Sequence, residues 1–442
     1  MASILIKNAL IVTMNNEREL LEGNLLIEND KINAIGQENF IADKVIDGTG
    51  QVVIPGLIQT HIHLCQSLFR GQADDLELLD WLSLRIWPLE GAHDPESLYY
   101  SALLGIGELF RSGTTAIIDM ETVHHTEAAF EAIFASGIRA LSGKCMMDWG
   151  DKVPASLLEN TEDSLRESVD LLQKWHGKGN GRLKYAFNPR FAVSCSEKLL
   201  KQISELARKY KVKIHTHASE NQGEIALVER ERKMRNVVYF EHLGMAHEDL
   251  ILAHCIWLNE QEMAILQRNR INVVHCPSCN LKLGSGIARI PEMLSRGIRV
   301  SLGADGAPAN NNLDPFNEMR LAALIQKPIH GPTVMPAQQV LEMATLGGAE
   351  AMGLAEEIGS LEVGKKADVV MVDLRKLHCS PSDNLNIYSQ LVYQARGSDV
   401  SLTIVDGQIV FENGNLQTID EAEVRNQSNK LIKQVYKRAG LN

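Results

Sequence analysis

The middle of the chain alternates between apolar runs of strand length and amphipathic segments of helix length. Near-continuous apolar strands that alternate with helices are typical of a parallel sheet. Eight such units over roughly 300 residues predict an α/β fold, a (β/α)8 TIM-type barrel. The predicted strands are VIPGLIQTHIHL, TTAIIDM, RALSGKCM, RLKYAFNPRF, VKIHTHASE, DLILAHCIWL, INVVHCPSCN and RVSLGADGA. Amphipathic helices are predicted between them, as at EAAFEAIFASG, SEKLLKQISELARKY and NEQEMAILQRN.

Both ends of the chain show short β-rich runs separated by Asn, Asp and Gly, and a polar helix closes the sequence. Chain ends often lie close together in a domain. We therefore predict a small β-sandwich domain from residues 1–56 and 359–442, beside a catalytic barrel of residues 57–358. A doubly wound open sheet is the alternative, but no Gly-rich phosphate-binding motif follows a predicted strand.

Composition narrows the possible partners and the compartment. The formal net charge of −12 argues against non-specific binding to nucleic acid or to an anionic membrane. The seven cysteines are odd in number and irregularly spaced, which favours reduced thiols over a disulfide framework. We see no signal peptide and no run of 18 apolar residues. We therefore expect a cytoplasmic protein.

Polar residues interrupt the predicted strands mainly at their C-terminal ends. In a barrel these ends all open on one face, which is where active sites form. Side chains that are distant in sequence are therefore expected to meet there. The residues in question are His61, His63, Arg190, His215, His217, Glu220, His254, His275 and Asp305.

Four of these residues form the predicted metal site. His61 and His63 lie two positions apart on one strand, so both imidazoles point to the same side of the sheet. Imidazole is the commonest metal ligand in proteins. We assign His217 as the third ligand and Asp305 as a fourth that can also accept a proton from water. His215 lies one layer deeper and is interpreted as an inner structural histidine.

The fourth predicted strand limits the number of metals. Barrels with two metals usually bridge them through a lysine carbamate or a carboxylate on this strand. Here the strand begins near Lys184 and ends at Arg190, and an arginine stays protonated and cannot bridge metals. We therefore predict one divalent metal. Zn²⁺ suits nitrogen and oxygen ligands with an open position for water, and Fe²⁺ and Mn²⁺ are alternatives.

Two further residues are candidates for proton transfer and water orientation. Glu220 follows His217 by three residues, in the loop at the barrel mouth. A carboxylate near an activated water can take its proton and pass it to a leaving group. His254 ends the sixth strand and could orient that water or bind the metal, and we favour orientation. A solvated acid and a structural histidine are the alternatives.

The Cys276-Pro-Ser-Cys279 segment resembles a P-C-x-x-C zinc motif and a redox C-x-x-C motif. The zinc deaminase class with that motif also needs an H-x-E on a facing helix, which is not evident in this sequence. Both cysteines end an apolar strand. We therefore interpret them as site lining or core.

The segments PGLIQTHIHL, IHTHASE, LAHC and LGADG resemble the amidohydrolase superfamily, in its mononuclear deaminase branch. The resemblance covers nearly the whole chain. It implies a (β/α)8 barrel and hydrolytic deamination of a ring carbon that carries an amino group. It places the metal ligands on His61, His63, His217 and Asp305, the proton shuttle on Glu220, and a histidine that orients water or contacts substrate on His254.

Within this superfamily, RGQADDLELLDWLSLRIWPLE and CNLKLGSGIARIPEML resemble deaminases of adenosine-type nucleosides. These act on 5′-deoxyadenosine, methylthioadenosine or S-adenosylhomocysteine. The resemblance places Glu90 on the acid that binds the ribose hydroxyls, which a carboxylate can do by accepting two hydrogen bonds. Trp87 and Trp81 are candidate pocket walls, with a core position as the alternative.

Two positions depart from those nucleoside deaminases. Relatives that bind homocysteine carry arginines after the third strand, where this chain has Lys144. A strong carboxylate clamp is therefore not expected, which favours a small 5′ group. Relatives also place a histidine near the purine where this chain has Arg190. Guanine deaminases carry a similar PRF…SCS, with the arginine on the purine.

These observations lead to an expected function with alternatives. We expect metal-dependent hydrolytic deamination of an adenosine-type nucleoside to its inosine analogue and ammonia. Guanine deaminase and a triazine amino- or chlorohydrolase are alternative enzymes, and a non-enzymatic binding protein of the same fold is a third alternative. The expected partner is a small purine nucleoside or related heterocycle. Homo-oligomers are common in this family, so we expect one here.

Overall fold

The computed structural model of the protein describes residues 3–381 and 386–441. The strands are β1 (Ser3–Val12), β2 (Leu20–Glu28), β3 (Lys31–Gly36), β4 (Lys44–Asp47), β5 (Val52–Pro55), β6 (Leu57–His63), β7 (Thr114–Met120), β8 (Arg139–Gly143), β9 (Cys145–Met146), β10 (Leu183–Pro189), β11 (Lys213–Ala218), β12 (Leu250–His254), β13 (Asn272–His275), β14 (Arg299–Leu302), β15 (Asp305–Gly306), β16 (Val369–Val372), β17 (Val400–Val405), β18 (Gln408–Glu412) and β19 (Asn415–Leu416).

The α-helices cover most of the connections and the C-terminal segment. They are α1 (Leu78–Trp81), α2 (Trp87–Glu90), α3 (Pro95–Arg111), α4 (Thr126–Ser136), α5 (Thr161–Trp175), α6 (Glu197–Tyr210), α7 (Gln222–Arg232), α8 (Asn236–His242), α9 (Glu260–Arg268), α10 (Pro277–Lys282), α11 (Ile290–Ser295), α12 (Ala307–Asn310), α13 (Pro315–Ile325), α14 (Lys327–His330), α15 (Ala337–Ala344), α16 (Leu346–Met352), α17 (Ile387–Ser389) and α18 (Glu421–Ala439). A π-helical turn, Leu82–Ile86, joins α1 to α2.

The central sheet is parallel and closes on itself. Its order is β14-β13-β12-β11-β10-β8-β7-β6-β15, with β9 beside β10. The strands β14 and β15 belong to the same short segment of chain. The first pairs with β13 and the second with β6, so this segment joins the two edges of the sheet. The predicted α/β barrel is confirmed, and its strands lie where the apolar runs predicted them.

The helices cover the barrel because their sequences are amphipathic. Helix α6 begins at Ser196, whose hydroxyl accepts a hydrogen bond from the Leu199 amide at 3.1 Å. Its buried face consists of small and aliphatic side chains at helical spacing, and lysine and glutamate side chains face water. Within residues 3–381 and 386–441, no helix is long and apolar enough to span a membrane.

The second sheet combines strands from both ends of the chain. Its order is β19-β18-β17-β16-β5-β1-β2-β3, and β4 pairs with β1. The two ends meet where β5 pairs antiparallel with β16. An apolar cluster with members such as Leu25, Ile27 and Leu402 draws on both ends. The domain boundaries at 56/57 and 358/359 stay predictions.

A buried ion pair joins the second sheet to the barrel. Arg139, at the start of β8, donates from Nε to Asp368 Oδ2 at 2.8 Å and from Nη2 to Asp368 Oδ1 at 2.9 Å. Asp368 directly precedes β16, and Arg139 also reaches Asp406 Oδ1 at 3.0 Å. The Arg139–Asp368 pair lies at the N-terminal ends of the barrel strands, whereas the metal-site residues lie at the C-terminal ends. It therefore holds the second sheet against the barrel without contacting the site.

Candidate metal centre and active site

The four predicted metal ligands meet at one face of the barrel, where β6, β11 and β14 end. His61 and His63 lie at the end of β6, His217 is the penultimate residue of β11, and Asp305 follows β14 and begins β15. Asp305 Oδ1 lies 3.2 Å from His61 Nε2 and 3.2 Å from His63 Nε2. One ligand atom from each of the four residues lies within 4.8 Å of every other. The structure therefore clusters the four residues that the strand-end pattern predicted to lie together.

Hydrogen bonds fix two of the histidine rings with their free nitrogens inward. His63 Nδ1 donates to the Met120 carbonyl at 2.8 Å, and His217 Nδ1 donates to the Arg190 carbonyl at 2.7 Å. In neutral rings both Nε2 atoms carry lone pairs, which face each other at 3.3 Å and repel each other unless a cation lies between them. Burial opposes a charge on His63, but contact with Asp305 outweighs burial and raises the pKa of His63, so this position favours a cation. The donor set therefore fits a bound metal ion.

The third histidine ligand has a histidine as its outer partner. His61 Nδ1 lies 2.8 Å from His215 Nε2, so His215 lies one layer deeper, as its place on β11 predicted. The His61 Nε2 atom is buried without a hydrogen-bond partner in the described residues. Burial lowers the pKa of His61 to about 4, against the opposing effect of Asp305. The ring is therefore neutral at physiological pH, which is the form that binds metals.

Asp305 is held ionised in a strained position. Its φ of +63° lies in the left-handed region, which is uncommon outside glycine and asparagine. Burial favours the neutral acid, but positive charge at the His61 and His63 nitrogens outweighs burial and holds the pKa of Asp305 well below its usual range, so a cation bound there would keep the carboxylate ionised. Gly306 N donates to Oδ1 at 2.7 Å and Cys279 Sγ donates to Oδ2 at 2.8 Å.

Glu220 and His254 lie beside the four-residue centre. Glu220 Oε2 is 3.5 Å from His254 Nε2. His254 Nδ1 donates to Asn280 Oδ1 at 2.9 Å, which leaves Nε2 as the nitrogen that faces the site. Burial, followed by the nearby charge of Asp305, raises the pKa of Glu220 well above its usual value. This carboxyl group is therefore able to carry a proton near neutral pH.

These residues line a narrow cavity at the barrel mouth. Helix segment 78–82 supplies an apolar wall that includes Trp81. The full lining is His63, Gln66, Leu78, Trp81, Leu82, Arg190, Phe191, His217, Glu220, His254, Leu283 and Asp305. The cavity therefore joins a polar metal-binding floor to an aromatic and aliphatic wall, which suits a flat heterocycle.

The predicted substrate-binding residues occupy three different positions. Arg190 lines the cavity, whereas the Glu90 side chain is completely buried and pairs with Arg190. Arg190 Nη1 lies 2.6 Å from Glu90 Oε2, and Nη2 lies 3.3 Å from Oε1. Trp87 lines a neighbouring cavity with Gly150 and Val193, while Trp81 lines the cavity above the metal ligands.

The ammonium group of Lys144 makes all its contacts with other groups of the protein. It is completely buried, and its Nζ donates to the Val123 carbonyl at 2.6 Å. The same atom lies 2.5 Å from Glu159 Oε1 and 3.3 Å from Glu167 Oε2. Its charge is therefore balanced within the fold. The cysteines Cys276 and Cys279 are both buried free thiols, in agreement with their interpretation as lining or core.

Gln66 and Asp119 lie near the site but were not predicted from the sequence. Gln66 lies in a 3₁₀ turn after β6 and donates from Nε2 to Glu90 Oε1 at 2.8 Å. Asp119, near the end of β7, accepts from Leu64 N at 2.9 Å and from Ser142 Oγ at 2.6 Å. The position of Asp119 in the apolar run TTAIIDM was a usable signal, because it follows the same strand-end pattern as the metal ligands.

Comparison with known proteins agrees with this site. The amidohydrolase family model matches residues 52–410. The chain is 40% identical to the 5′-deoxyadenosine deaminase of Methanobrevibacter smithii over 98% of each chain. It is 38% identical to the 5-methylthioadenosine/S-adenosylhomocysteine deaminase of Moorella thermoacetica, over 97% of this chain and 99% of that one.

A solved structure shows the same architecture. It is an adenosine deaminase from Xanthomonas campestris with bound zinc, and it superposes with a TM-score of 0.92 at 28% identity over 99% of each chain. The family model spans the barrel and much of the second sheet, and the relatives match almost from end to end. The chain belongs to the amidohydrolase family.

Proposed function

We propose that this protein is a metal-dependent aminohydrolase that converts an adenosine-type nucleoside and water to the inosine analogue and ammonia. The observation that carries this proposal is the convergence of the His63 and His217 Nε2 atoms, 3.3 Å apart with each Nδ1 bonded to a backbone carbonyl, beside a buried Glu220. The names of the relatives support the nucleoside as the substrate class.

His61, His63, His217 and Asp305 would hold one divalent metal, with Zn²⁺ as the first candidate and Fe²⁺ or Mn²⁺ as alternatives. A zinc-bound relative and a donor set of three nitrogens and one carboxylate oxygen support this choice. When bound, such a metal lowers the pKa of a water molecule toward neutral, so that it can attack the ring carbon.

Glu220 is proposed as the proton shuttle. Its raised pKa allows its carboxyl group to take a proton from the attacking water and to hold that proton at neutral pH. The proton then passes to the ring nitrogen next to the attacked carbon. The remaining hydroxyl proton of the adduct is then transferred to the amino group. As the carbon–nitrogen bond breaks, this group leaves as ammonia and the ring keeps the water oxygen as its carbonyl.

His254 and Asp305 are proposed to hold the attacking water. The hydrogen bond to Asn280 keeps His254 Nε2 free to accept a proton from water or from substrate. Asp305 is held ionised and offers oxygen atoms on the same side of the cavity. Both residues have positive φ angles, +72° and +63°, and such strain is typical of residues held for function.

Arg190 is proposed as the direct contact to the substrate ring, because it lines the cavity beside His217. Glu90 fixes the guanidinium through two contacts. Trp87 walls the neighbouring cavity and could contact only a part of the substrate that extends there. Lys144 already pairs with Glu159 and Glu167, so it is not available to bind a substrate carboxylate. We therefore favour a small, uncharged 5′ group over the amino acid of S-adenosylhomocysteine.

Arg190 also supports guanine as an alternative substrate, since a guanidinium in the cavity can donate to a purine. A panel of 5′-deoxyadenosine, methylthioadenosine, S-adenosylhomocysteine and guanine, assayed for ammonia release, tests the proposal. We expect the highest kcat/KM for one of the first two nucleosides. Preference for guanine would replace the proposal with the alternative, and no ammonia from any member of the panel would reject both.

We further propose a cytoplasmic homo-oligomer. All seven cysteines are buried free thiols, as expected in a reducing compartment.

A further inference from the structure

Gln66 is a buried glutamine at the edge of the metal centre. It follows His63 by three residues, in the 3₁₀ turn Leu64–Phe69, and lines the same cavity as Glu220 and Asp305. Its side chain is completely buried. A buried amide normally satisfies both its N–H₂ and its carbonyl group within the protein. Only one end of this amide is satisfied.

Hydrogen bonding fixes the orientation of the Gln66 amide. The N–H₂ group donates to Glu90 Oε1 at 2.8 Å. Glu90 pairs through both oxygens with Arg190, and a carboxylate held in this way only accepts hydrogen bonds. Turning the amide around would place its carbonyl oxygen against that carboxylate. The carbonyl oxygen of Gln66 therefore has to point away from Glu90.

The carbonyl oxygen of Gln66 has no hydrogen-bond donor in the described part of the chain. It lies against the backbone of Gly306, where a β-carbon would come within 2.0 Å of it. Gly306 directly follows the metal ligand Asp305, so the oxygen is close to the reacting end of the cavity. An unpaired buried acceptor lowers the stability of the folded protein. Such an acceptor is explained when a ligand donates a hydrogen bond to it.

We infer that Gln66 is a substrate-binding residue whose carbonyl oxygen accepts a hydrogen bond from the substrate. This inference rests on the proposed function. An adenosine-type nucleoside offers two kinds of donor, the N–H of the amino group that leaves and the O–H groups of the ribose. Glu90 becomes a positioning residue, because it is buried behind Gln66 and Arg190 and holds both of them.

The test compares Gln66→Met with a matched control, Gln59→Met. Methionine has a similar length and offers no comparable acceptor. Gln59, on β6, is also buried, also donates from Nε2 to protein oxygens, and also has an unpaired Oε1. It is not part of the cavity lining. Both changes place a methionine at a buried glutamine, but only Gln66→Met removes an acceptor from a residue that lines the cavity.

Three substrates separate the two kinds of donor. They are 5′-deoxyadenosine, its 6-chloropurine counterpart, which lacks the amino N–H, and its 2′,3′-dideoxy counterpart, which lacks the ribose O–H groups. We expect Gln66→Met to lower kcat/KM for 5′-deoxyadenosine about ten-fold or more relative to Gln59→Met, since an unmade hydrogen bond to a buried group costs that much. The penalty should vanish with the analogue that lacks the donor.

An equal penalty on all three substrates, or no difference between Gln66→Met and Gln59→Met, would overturn the inference. If Gln66→Met fails to fold, Gln66→Asn, which shortens the side chain and withdraws the acceptor, is assayed on the same three substrates. It should show the same penalty that depends on the substrate donor, and an equal penalty on all three substrates rejects the inference. The proposed function itself fails if the wild-type protein converts none of the three substrates, and this outcome is distinct from failure of the Gln66 inference.

Discussion

The metal centre depends on which nitrogen of each histidine carries the proton. Backbone carbonyls of Met120 and Arg190 accept from the Nδ1 atoms of His63 and His217, and His215 partners the Nδ1 atom of His61. Such outer partners orient metal ligands and set their tautomer. Because the three Nε2 atoms are turned inward before any metal binds, little reorganisation is needed for binding.

Glu220→Gln tests the role of the Glu220 side chain as the proton shuttle. The amide is close to the carboxyl in shape, but it cannot carry a proton between water and the ring. We expect normal metal content and a loss of kcat of about 10²–10⁴-fold. Metal analysis and ammonia release on the same sample measure both quantities. Glu248→Gln, at an exposed position, is the control and should keep full activity. Full turnover by Glu220→Gln would remove this residue from the mechanism.

Strand-end position was sufficient to predict His61, His63, His217 and Asp305 as a cluster, because a parallel barrel brings all such ends to one face. It gave no information about Gln66, which lies in an irregular turn with no periodic signal. Nor could it show that Glu90 and Arg190 contact each other. That contact joins residues 100 positions apart and depends on how the 78–90 segment folds over the mouth.

The segment from α1 to α2 places its two tryptophans in different cavities. The π-helical turn Leu82–Ile86 separates Trp81 from Trp87. Trp81 lines the cavity with the metal ligands, and Trp87 lines the neighbouring one. The sequence alone offered both as pocket walls and did not distinguish them.

The ion pair between β8 and the segment before β16 joins the two sheets, and Arg139→Met tests its contribution. The substitution leaves the buried Asp368 carboxylate without its cation. We expect the free energy of unfolding to fall by roughly 3–5 kcal/mol, as measured by urea denaturation. Removal of the exposed pair of Arg166 and Asp163 by Arg166→Met should cost about 0–1 kcal/mol. Equal losses in the two variants would contradict a special role for the buried pair.

That the two chain ends form one sheet was predictable from their shared strand-and-turn pattern. The strand order was not, because β5 pairs with β16 across more than 300 residues of intervening barrel. Register between distant strands depends on side-chain packing in three dimensions, for example at the Leu25 and Leu402 cluster. A single sequence contains no direct record of that packing.

For the molecule as a whole, the metal is expected to stabilise the folded barrel. The four ligands come from strands far apart in sequence, so an ion that binds them binds the folded state only. Removal of the metal with a chelator should lower Tm, and excess Zn²⁺ should restore it. The expected stabilisation is about 4 kcal/mol at a thousand-fold excess over Kd. Asp305→Asn should reduce this response, and an unchanged response would place the stabilising ion elsewhere.

One divalent metal, held by His61, His63, His217 and Asp305, is proposed to be required for deamination of an adenosine-type nucleoside. The most direct test of this proposal is a titration of metal-free protein with Zn²⁺, in which bound metal and ammonia release from 5′-deoxyadenosine are measured on the same samples. Activity should rise from near zero and saturate at one metal per chain. Full activity without metal, or saturation only at two metals per chain, would contradict it.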